Sequence, residues 1–398
     1  MDPAFLIDWA NFLLRWLHVI TAIAWIGSSF YFVFLDDSLE PPADEALKAR
    51  GVTGEMWAVH GGGFYNPQKY AVGPKAMPAG TLHWFYWESY STWLSGFALF
   101  AVLYLWNASS FLVDRAVHEW SAAAAGAAAV GFLAAGWLAY DAICRVAGRK
   151  ADGSVGGDAR VGALVLGMVV LASWLACSLF AGRAAFVVVG AMLGTIMSAN
   201  VFFVIIPGQR KVVADLRAGR RPDPIHGQRG KQRSVHNTYL TLPVLATMVS
   251  NHYPMLYQHR LNALVLVLLM VLGALVRLYF VQRHKGRQRW EIVAASVALA
   301  VLLAWLVAPA RVAASVAAPA RFADVQAVVQ QRCAMCHNAQ LAQKGVRLDT
   351  PQTLQEHAAA IHTQAVVTRQ MPLNNATQMT EQERSVLARW FAAGAPRD

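Results

Sequence analysis

The sequence predicts an all-α protein, an eight-span transmembrane helical bundle followed by a small soluble tail. The 398-residue chain is 56% hydrophobic and only 14% charged, whereas soluble chains carry roughly 25% charged residues. Its apolar residues also fall into runs of about 20, the length that crosses a bilayer as one helix. We expect a transmembrane domain at 1–308, a linker at 309–321 and a separate tail domain at 322–398.

Each predicted span is an apolar run that must close its own backbone hydrogen bonds in lipid, which favours a helix. The sixth run is interrupted by polar side chains such as His236 and Asn251, so we expect that helix to face the bundle interior. The eight runs are 11–35, 81–106, 121–143, 159–181, 184–206, 235–257, 261–281 and 291–308.

The net charge of +11 is concentrated in alternate connecting segments. Cytoplasmic loops of membrane proteins are enriched in Lys and Arg, so this alternation predicts both chain ends outside and the loop 36–80 inside. Topology alone explains the basic excess, and we expect a lipid bilayer and no nucleic acid as partner. The basic loops are 141–158, 207–234 and 282–290, and the alternate loops with one basic residue each are 107–120, 182–183 and 258–260.

A five-residue motif in the tail, Cys333-Ala334-Met335-Cys336-His337, is the most specific feature of the sequence. Cys-x-x-Cys-His is the attachment motif of a c-type haem, in which both thiols bond to the porphyrin and the histidine is an axial iron ligand. A zinc or thioredoxin-type site is disfavoured, because neither a second cysteine pair nor a βαβ pattern accompanies the motif. The tail is therefore predicted to be a small class I cytochrome c domain with one covalent haem c.

The sixth iron ligand is expected to be Met371, which precedes Pro372 in the middle of the tail. A methionine thioether in this position raises the haem potential. Met379 is the other methionine candidate, and His357 and His362 leave a bis-histidine arrangement open.

Two helices are expected to frame the haem. Phe322 to Arg332 leads into the motif, and Thr380 with Glu383 forms a capping box for a final helix. That final helix carries an apolar face at helical spacing. Haem c is attached on the outer side of bacterial membranes, the side on which the charge pattern independently places the tail. We therefore expect a multi-pass protein of the bacterial inner membrane with a periplasmic tail.

Two sets of polar residues in the membrane part are candidate sites. At the inner face, Trp57, His60 and Lys69 lie in a glycine-rich loop, and His83 and Glu88 open the next span. Aromatic and cationic side chains suit a flat anion, although an aromatic belt at the membrane surface explains the pattern equally well. A second set, His18 and His252, lies at similar depth on two helices, where paired histidines bind a b-type haem.

The chain resembles one known family along essentially its whole length. The segments Trp16–Ile20, Trp25–Tyr31, Trp57–Tyr65 and Cys333–His337 together are similar to the bacterial integral-membrane urate oxidase (urate hydroxylase) family with a fused cytochrome c domain. The resemblance implies oxidation of urate to 5-hydroxyisourate in purine catabolism. It also implies that electrons pass to the fused haem c, and then to a soluble cytochrome c or terminal oxidase, without peroxide formation.

Under this resemblance we expect His60, His83 and Glu88 to be catalytic and Trp57 and Lys69 to bind urate. An inner site lies about 30 Å from an outer haem, so either a b-type haem at His18 and His252 bridges the distance, or the site lies deeper or on the outer side. A quinol-linked membrane cytochrome without its own organic substrate is the alternative function.

Overall fold

The computed structural model describes residues 3–75, 77–78, 80–308 and 320–397. Most of this chain is helical, as predicted. The helices are α1 Pro3–Ser38, α2 Glu45–Ala49, α3 Trp87–Phe100, α4 Ala108–Phe111, α5 Ala122–Val146, α6 Asp158–Leu179, α7 Gly182–Ala199, α8 Ile206–Arg217, α9 Pro224–Ser250, α10 Pro254–Tyr257, α11 Asn262–His284, α12 Trp290–Leu306, α13 Phe322–Arg332, α14 Pro351–Glu356, α15 Ala358–Ile361 and α16 Glu381–Ala392.

Three stretches continue helices as π-helix. They are Ala101–Leu105 after α3, Asn200–Ile205 between α7 and α8, and His362–Val367 after α15. A π-helical turn holds one more residue per hydrogen-bonded ring than an α-helical turn and is frequent at functional sites.

The loop between α1 and α3 departs from the all-α prediction, because it contains four short strands. β1 Gly54–Glu55 pairs antiparallel with β4 Gln68–Lys69, and β2 Ala58–His60 pairs antiparallel with β3 Gly63–Tyr65. The β2–β3 turn places Gly61 and Gly62 at φ +59° and +82°. Two successive residues at positive φ form the tight turn that antiparallel strands prefer, and glycine adopts it without a steric penalty.

Five helical segments of the described chain are long and apolar enough to cross a membrane, which is compatible with a membrane protein. The predicted count of eight is not confirmed. The other three predicted runs correspond to α3, α9 and α12, which are not among the five; α3 and α12 have only 14 and 17 residues. The helix α9 begins at Pro224, well before the predicted run, and its first turns are helical but basic. The five segments are Phe5–Ser38, Ala122–Val146, Asp158–Leu179, Gly182–Arg217 and Asn262–His284.

The centre of the bundle is α7, which packs against α3, α5, α6, α9 and α10. Its side chains are buried on almost every face, including Phe186, Val189 and Ile196. By contrast, α1 leaves most of its large apolar side chains exposed, among them Phe12, Trp16 and Ile23. An apolar face of this kind is stable in contact with lipid.

The tail has a separate apolar core, in which α13 and α16 pack together. The rings of Phe322 and Trp390 are 6.2 Å apart, and Val329 and Leu387 are fully buried between the helices. The predicted helix Phe322–Arg332 and the capping box of Thr380 with Glu383 are both observed. The predicted linker 309–321 lies outside the described residues except for its last two positions.

Contacts with three separated segments hold the tail against one end of the bundle. The Gln258 amide donates to the Arg369 carbonyl at 2.6 Å, and the Asn374 amide donates to the Ser110 carbonyl at 2.5 Å. Lys344 approaches Asp8 at 3.5 Å. The charge pattern predicts the loops that contain Ser110 and Gln258 on the same side as the tail, which agrees with this arrangement.

Candidate functional site

The cysteine motif forms a compact turn at the end of α13. The Cys333 amide donates to the Val329 carbonyl at 2.8 Å. The amides of Cys336 and His337 both donate to the Cys333 carbonyl, at 3.1 and 3.0 Å. Burial raises the pKa of the Cys333 thiol to about 11, so this thiol is neutral at physiological pH. Cys336 is exposed. The turn brings both sulfurs and the histidine to one end of the helix, as covalent attachment of a haem requires.

The ring of His337 is held in a fixed orientation. Its Nδ1 lies 3.2 Å from the Val346 carbonyl oxygen, to which it donates, so its Nε2 is the nitrogen left to bind a metal. Histidines that ligate metals usually donate the other ring N–H to a carbonyl or carboxylate in this way. The residues of the motif therefore fit a c-type haem.

The two candidate methionines differ in burial. Met379 is 3% exposed and forms part of the tail core, whereas Met371 is 37% exposed. The segment of Met371 is anchored, because its amide donates to the Gln364 carbonyl at 3.0 Å and its carbonyl accepts from Arg384 at 3.0 Å. Met371 is therefore the more exposed of the two methionines, and Met379 is packed in the core of the tail. Of the histidine alternatives, His362 stacks on Phe391 at 4.3 Å.

The five inner-loop candidates do not form one cluster. Lys69 pairs with Asp36 at 2.7 Å, and His83 meets the edge of Phe85 at 4.6 Å. Trp57 is exposed, His60 ends β2, and Glu88 lies in the first turn of α3. Within the described part of the chain, no hydrogen bond, ion pair or ring contact joins any two of these five side chains.

His18 lies between α1 and α3 with its ring fixed. Its Nδ1 is 3.1 Å from the Thr92 carbonyl oxygen and 3.3 Å from the Ser95 hydroxyl. The ring packs so closely on Gly96 that a Cβ there would lie 2.7 Å from the His18 Cε1. Since a carbonyl can only accept, Nδ1 carries the ring proton when it donates to Thr92, and Nε2 is then the unprotonated nitrogen. His252 lies in the turn after α9, and no contact joins it to His18 among the described residues.

A buried polar network that was not predicted joins three helices near the other end of the bundle. The Tyr140 hydroxyl of α5 lies 2.7 Å from His236 Nδ1 of α9. Asn200, at the start of the π-helix after α7, donates to that hydroxyl at 3.1 Å and to Asn237 Oδ1 at 2.9 Å. Asn237 in turn donates to the Met197 carbonyl at 3.0 Å.

An ion pair borders this network. Arg233, which is 4% exposed, binds Asp141 through Nη2 at 2.7 Å, and its guanidinium lies over the Tyr140 ring at 4.9 Å. Arg145 binds the other oxygen of Asp141 at 2.6 Å. Within the described chain, two buried atoms here lack a hydrogen-bond partner, Arg233 Nη1 and Asn200 Oδ1. Since buried polar groups are nearly always paired, each unpaired atom requires an explanation.

A second buried cation, Arg277, lies within α11. It is fully buried and donates to the Thr238 carbonyl at 3.2 Å and the Ser29 carbonyl at 3.3 Å. Its guanidinium lies 3.5 Å from the centre of the Phe30 ring. Among the described residues, its Nη1 has no partner and no carboxylate pairs with it.

The sequence contains a signal for both buried clusters. Asn200 interrupts the apolar run 184–206, and Arg277 interrupts the run 261–281. Polar or charged residues inside a span are costly and mark functional sites. The partners of these residues, however, depend on which helix faces meet.

The fold defines a helical protein of the kind that crosses membranes, with polar clusters enclosed between its helices. The family model described as urate oxidase N-terminal matches residues 4–308, and the chain belongs to this family. Membership suggests a urate-related function and an oxidoreductase. No curated protein and no solved structure matches the chain.

Proposed function

We propose that the protein is a urate oxidase of the bacterial inner membrane that passes electrons to a haem c in its own periplasmic tail. One observation carries the proposal: a single chain joins the family-matched segment 4–308 to the Cys333–His337 motif. The family supplies an oxidisable substrate, and the motif supplies the place for an electron acceptor.

The proposed reaction takes urate and water to 5-hydroxyisourate, two electrons and two protons. The added oxygen comes from water, which bonds to the oxidised purine carbon. Haem c, when bound, accepts one electron at a time, so two transfers complete a turnover without forming peroxide. A second proton must leave the urate anion to make it easier to oxidise, so the chain must provide a base.

The docking of the tail supports this direction of electron flow. The hydrogen bonds from Gln258 to Arg369 and from Asn374 to Ser110 hold the tail at the end of the bundle that the charge pattern predicts to be periplasmic. From there a soluble cytochrome c or a terminal oxidase can accept the electrons.

The distance through the bundle favours an intermediate carrier. A substrate site at the inner face would lie about 30 Å from a haem in the periplasmic tail, which is too far for one fast electron transfer. We propose a b-type haem bound through His18 Nε2, with His252 as the candidate for its second ligand. A pyridine haemochrome assay distinguishes one haem c per chain from one haem c and one haem b.

The proposed function is tested by adding urate anaerobically to the purified full-length protein and following the haem c absorption. Reduction of the haem without peroxide is the expected result. Reduction by a quinol but not by urate would instead establish a quinol-linked cytochrome and overturn the proposal. Ascorbate reduction in the same sample verifies that the haem is competent.

A further inference from the structure

The loop between α1 and α3 begins at a boundary of the hydrocarbon core. From Trp16 to Leu35, α1 carries no Lys, Arg, Asp or Glu over 20 residues. That stretch corresponds to about 30 Å of helix, which is the thickness of the hydrocarbon core. The next residue, Asp36, pairs with Lys69 of β4 at 2.7 Å. This ion pair therefore holds one end of the loop's β-structure at the level where the core ends.

A second attachment fixes the β2–β3 hairpin to the end of α1. The Glu40 amide donates to the Glu55 carbonyl at 2.9 Å, and the Glu55 amide donates to the Glu40 carbonyl at 2.8 Å. On the other side of the hairpin, the Asn66 side-chain amide donates to the Glu55 carboxylate at 3.0 Å and to the Met56 carbonyl at 3.2 Å. Both strands thus start from one anchored base, and strands of three residues reach about 10 Å beyond it.

The hairpin presents an apolar face that the described chain does not cover. Val59 and Phe64 lie directly opposite each other, and Trp57 lies two positions before Val59, so the three side chains share one face. They are 68%, 76% and 69% exposed, in the order Val59, Phe64, Trp57. Within the described chain, no ring or cation–π contact involves Trp57 or Phe64. A contiguous exposed apolar surface of this kind marks an interface.

The hairpin also lacks charge, unlike the rest of its loop. The loop 36–80 contains six acidic and four basic residues, but none of these ten lies in the stretch from Met56 to Gln68. An uncharged stretch with exposed Trp, Phe and Tyr side chains suits the boundary between lipid headgroups and acyl chains, where aromatic side chains concentrate.

Neighbouring aromatic side chains extend this surface along the same end of the bundle. Phe85 and Trp87, where α3 begins, are exposed, and so is Phe34 near the end of α1. The Phe85 ring lies 4.8 Å from the ring of Phe32 in α1, so the start of α3 and the end of α1 are at one level. The hairpin is therefore continuous with a belt of exposed aromatic side chains at this end of the bundle.

We propose that the β2–β3 hairpin inserts Trp57, Val59 and Phe64 into the headgroup region of the adjacent leaflet and so holds the loop 36–80 on the membrane surface. The partner is the lipid bilayer itself. The headgroup region is about 5–8 Å thick, a depth that the reach of the hairpin matches. Water in this region still hydrates the unpaired backbone groups at the hairpin edges. The proposal goes beyond the proposed function and does not depend on it.

Urate is the competing occupant, because the sequence predicts that Trp57 binds it. Small ligands bind in cavities that enclose most of their surface. Side chains as exposed as Trp57, Val59 and Phe64 line no such cavity in the described chain. The geometry therefore assigns Trp57 to lipid contact.

The test measures the depth of residue 59 in a bilayer. Full-length protein with Val59→Cys is labelled with a fluorophore and placed in nanodiscs of phosphatidylcholine and phosphatidylglycerol. Cys177→Ser removes the partly exposed thiol of α6, and this variant alone measures background labelling. We expect lipids brominated in the upper acyl chain to quench the label. Iodide in water should quench it at least about fivefold less than a label at Glu45→Cys.

Two further label positions calibrate the measurement. Glu45 lies in α2 of the same loop with its side chain 85% exposed, and it is the control for water. Ile23→Cys, on the exposed apolar side of α1, is the control for lipid. Equal iodide quenching at residues 59 and 45 would overturn the proposal. Protection of residue 59 from both quenchers would also overturn it, because a protein surface or a second copy would then cover the hairpin.

A double variant tests whether the apolar side chains drive the insertion. Trp57→Ser with Phe64→Thr should make the label at residue 59 at least about threefold more accessible to iodide. Val72→Thr, an exposed position of the same loop outside the hairpin, is the matched control and should change nothing. Haem c reduction by ascorbate reports that each variant is intact. Unchanged accessibility in the double variant contradicts the proposal, as does protection of the label that requires added urate.

Discussion

The tail and the helical bundle carry their chemical groups in different ways. In the tail, Cys333, Cys336 and His337 lie within five consecutive residues, and one helical turn orients them. In the bundle, Tyr140 meets Asn200 and His236 across 60 and 96 positions of sequence. A contiguous motif is recognisable without knowledge of packing, whereas a site that spans helices exists only once their faces have met.

The two regions should also respond differently to the loss of one residue. Loss of a haem-attaching residue in the tail should remove the electron acceptor and leave the bundle intact. Loss of a bundle residue that binds the substrate should instead leave the acceptor intact and stop its reduction by urate. Variants in each region therefore separate electron acceptance from substrate chemistry.

The largest effect is expected from Cys336→Ser, which removes one of the two sulfurs that bind the porphyrin. We expect covalent haem on a denaturing gel to fall strongly, and urate-dependent reduction of haem c to fall with it. Urate binding in equilibrium dialysis should be unchanged, because the bundle does not depend on this thiol. Cys177→Ser, in α6, serves as the control and should retain haem. Normal haem attachment in Cys336→Ser would contradict the cytochrome assignment of the tail.

Met371→Leu should have the next largest effect, since it replaces the proposed thioether ligand by an apolar side chain of similar volume. We expect the midpoint potential of haem c to fall by on the order of 100 mV, within the roughly 0.8 V range that axial ligands span. Redox titration of the purified protein measures this shift.

Met379→Leu is the comparison for Met371→Leu, because Met379 is buried in the tail core. Volume-conserving core substitutions usually cost less than about 1.5 kcal/mol, so we expect a small loss of stability and an unchanged potential. A fall in potential for Met379→Leu, with none for Met371→Leu, would reverse the assignment of the axial ligand.

Local structure in the tail could be predicted because its determinants are adjacent in sequence. The helix Phe322–Arg332 has the predicted bounds, and the capping box of Thr380 and Glu383 links residues only three positions apart. In the bundle, apolar runs located the helices but not their ends. The first turns of α9, which starts at Pro224, contain basic residues. The apolar run that predicts this helix starts only at residue 235, so it does not include these turns.

The candidate site in the bundle was less predictable for a physical reason. His60, Lys69 and His83 are close in sequence, but they have different partners in the fold. His60 lies in the β2–β3 hairpin, and Lys69 forms an ion pair with Asp36. Asn200 and Tyr140 show no spacing that links them, because their contact depends on which faces of α5 and α7 pack together. A polar residue inside an apolar run indicated that a buried partner must exist, but not its identity.

Gly96→Ala should have a moderate effect in the bundle. The added Cβ would lie 2.7 Å from the His18 Cε1, so the ring must move from its position on the Thr92 carbonyl. We expect a net loss of about 1–3 kcal/mol in stability from overpacking, with a lower thermal midpoint in detergent. Electron transfer from urate to haem c should also slow if His18 binds a haem.

Gly167→Ala is the matched control for Gly96→Ala, since Gly167 lies in α6, where an added methyl group would have nothing within 4 Å in the described chain apart from its chain neighbours and the backbone of its own helix. Alanine is favoured over glycine in a helix by roughly 0.5–1 kcal/mol, so this variant should be as stable as the wild type or more so. Equal stability of the two variants would show that the His18 ring is free to move.

The smallest effect is expected from Thr380→Ala in the tail. This variant tests whether loss of the capping box of α16 destabilises only the tail and leaves the bundle unaffected. Thr380 Oγ accepts from the Glu383 amide at 3.2 Å, and the Glu383 carboxylate accepts from the Thr380 amide at 2.6 Å. Losing the side-chain half of this box should cost about 1 kcal/mol, because one amide at the start of α16 loses its partner. The midpoint for thermal loss of the haem c absorption should fall by a few degrees, while Thr363→Ala, at an exposed position, should leave it unchanged.

The urate-binding affinity should not change in either variant, since α16 contributes only to the tail core. A weaker urate affinity in Thr380→Ala would mean that the tail and the bundle are coupled more closely than their few docking contacts indicate.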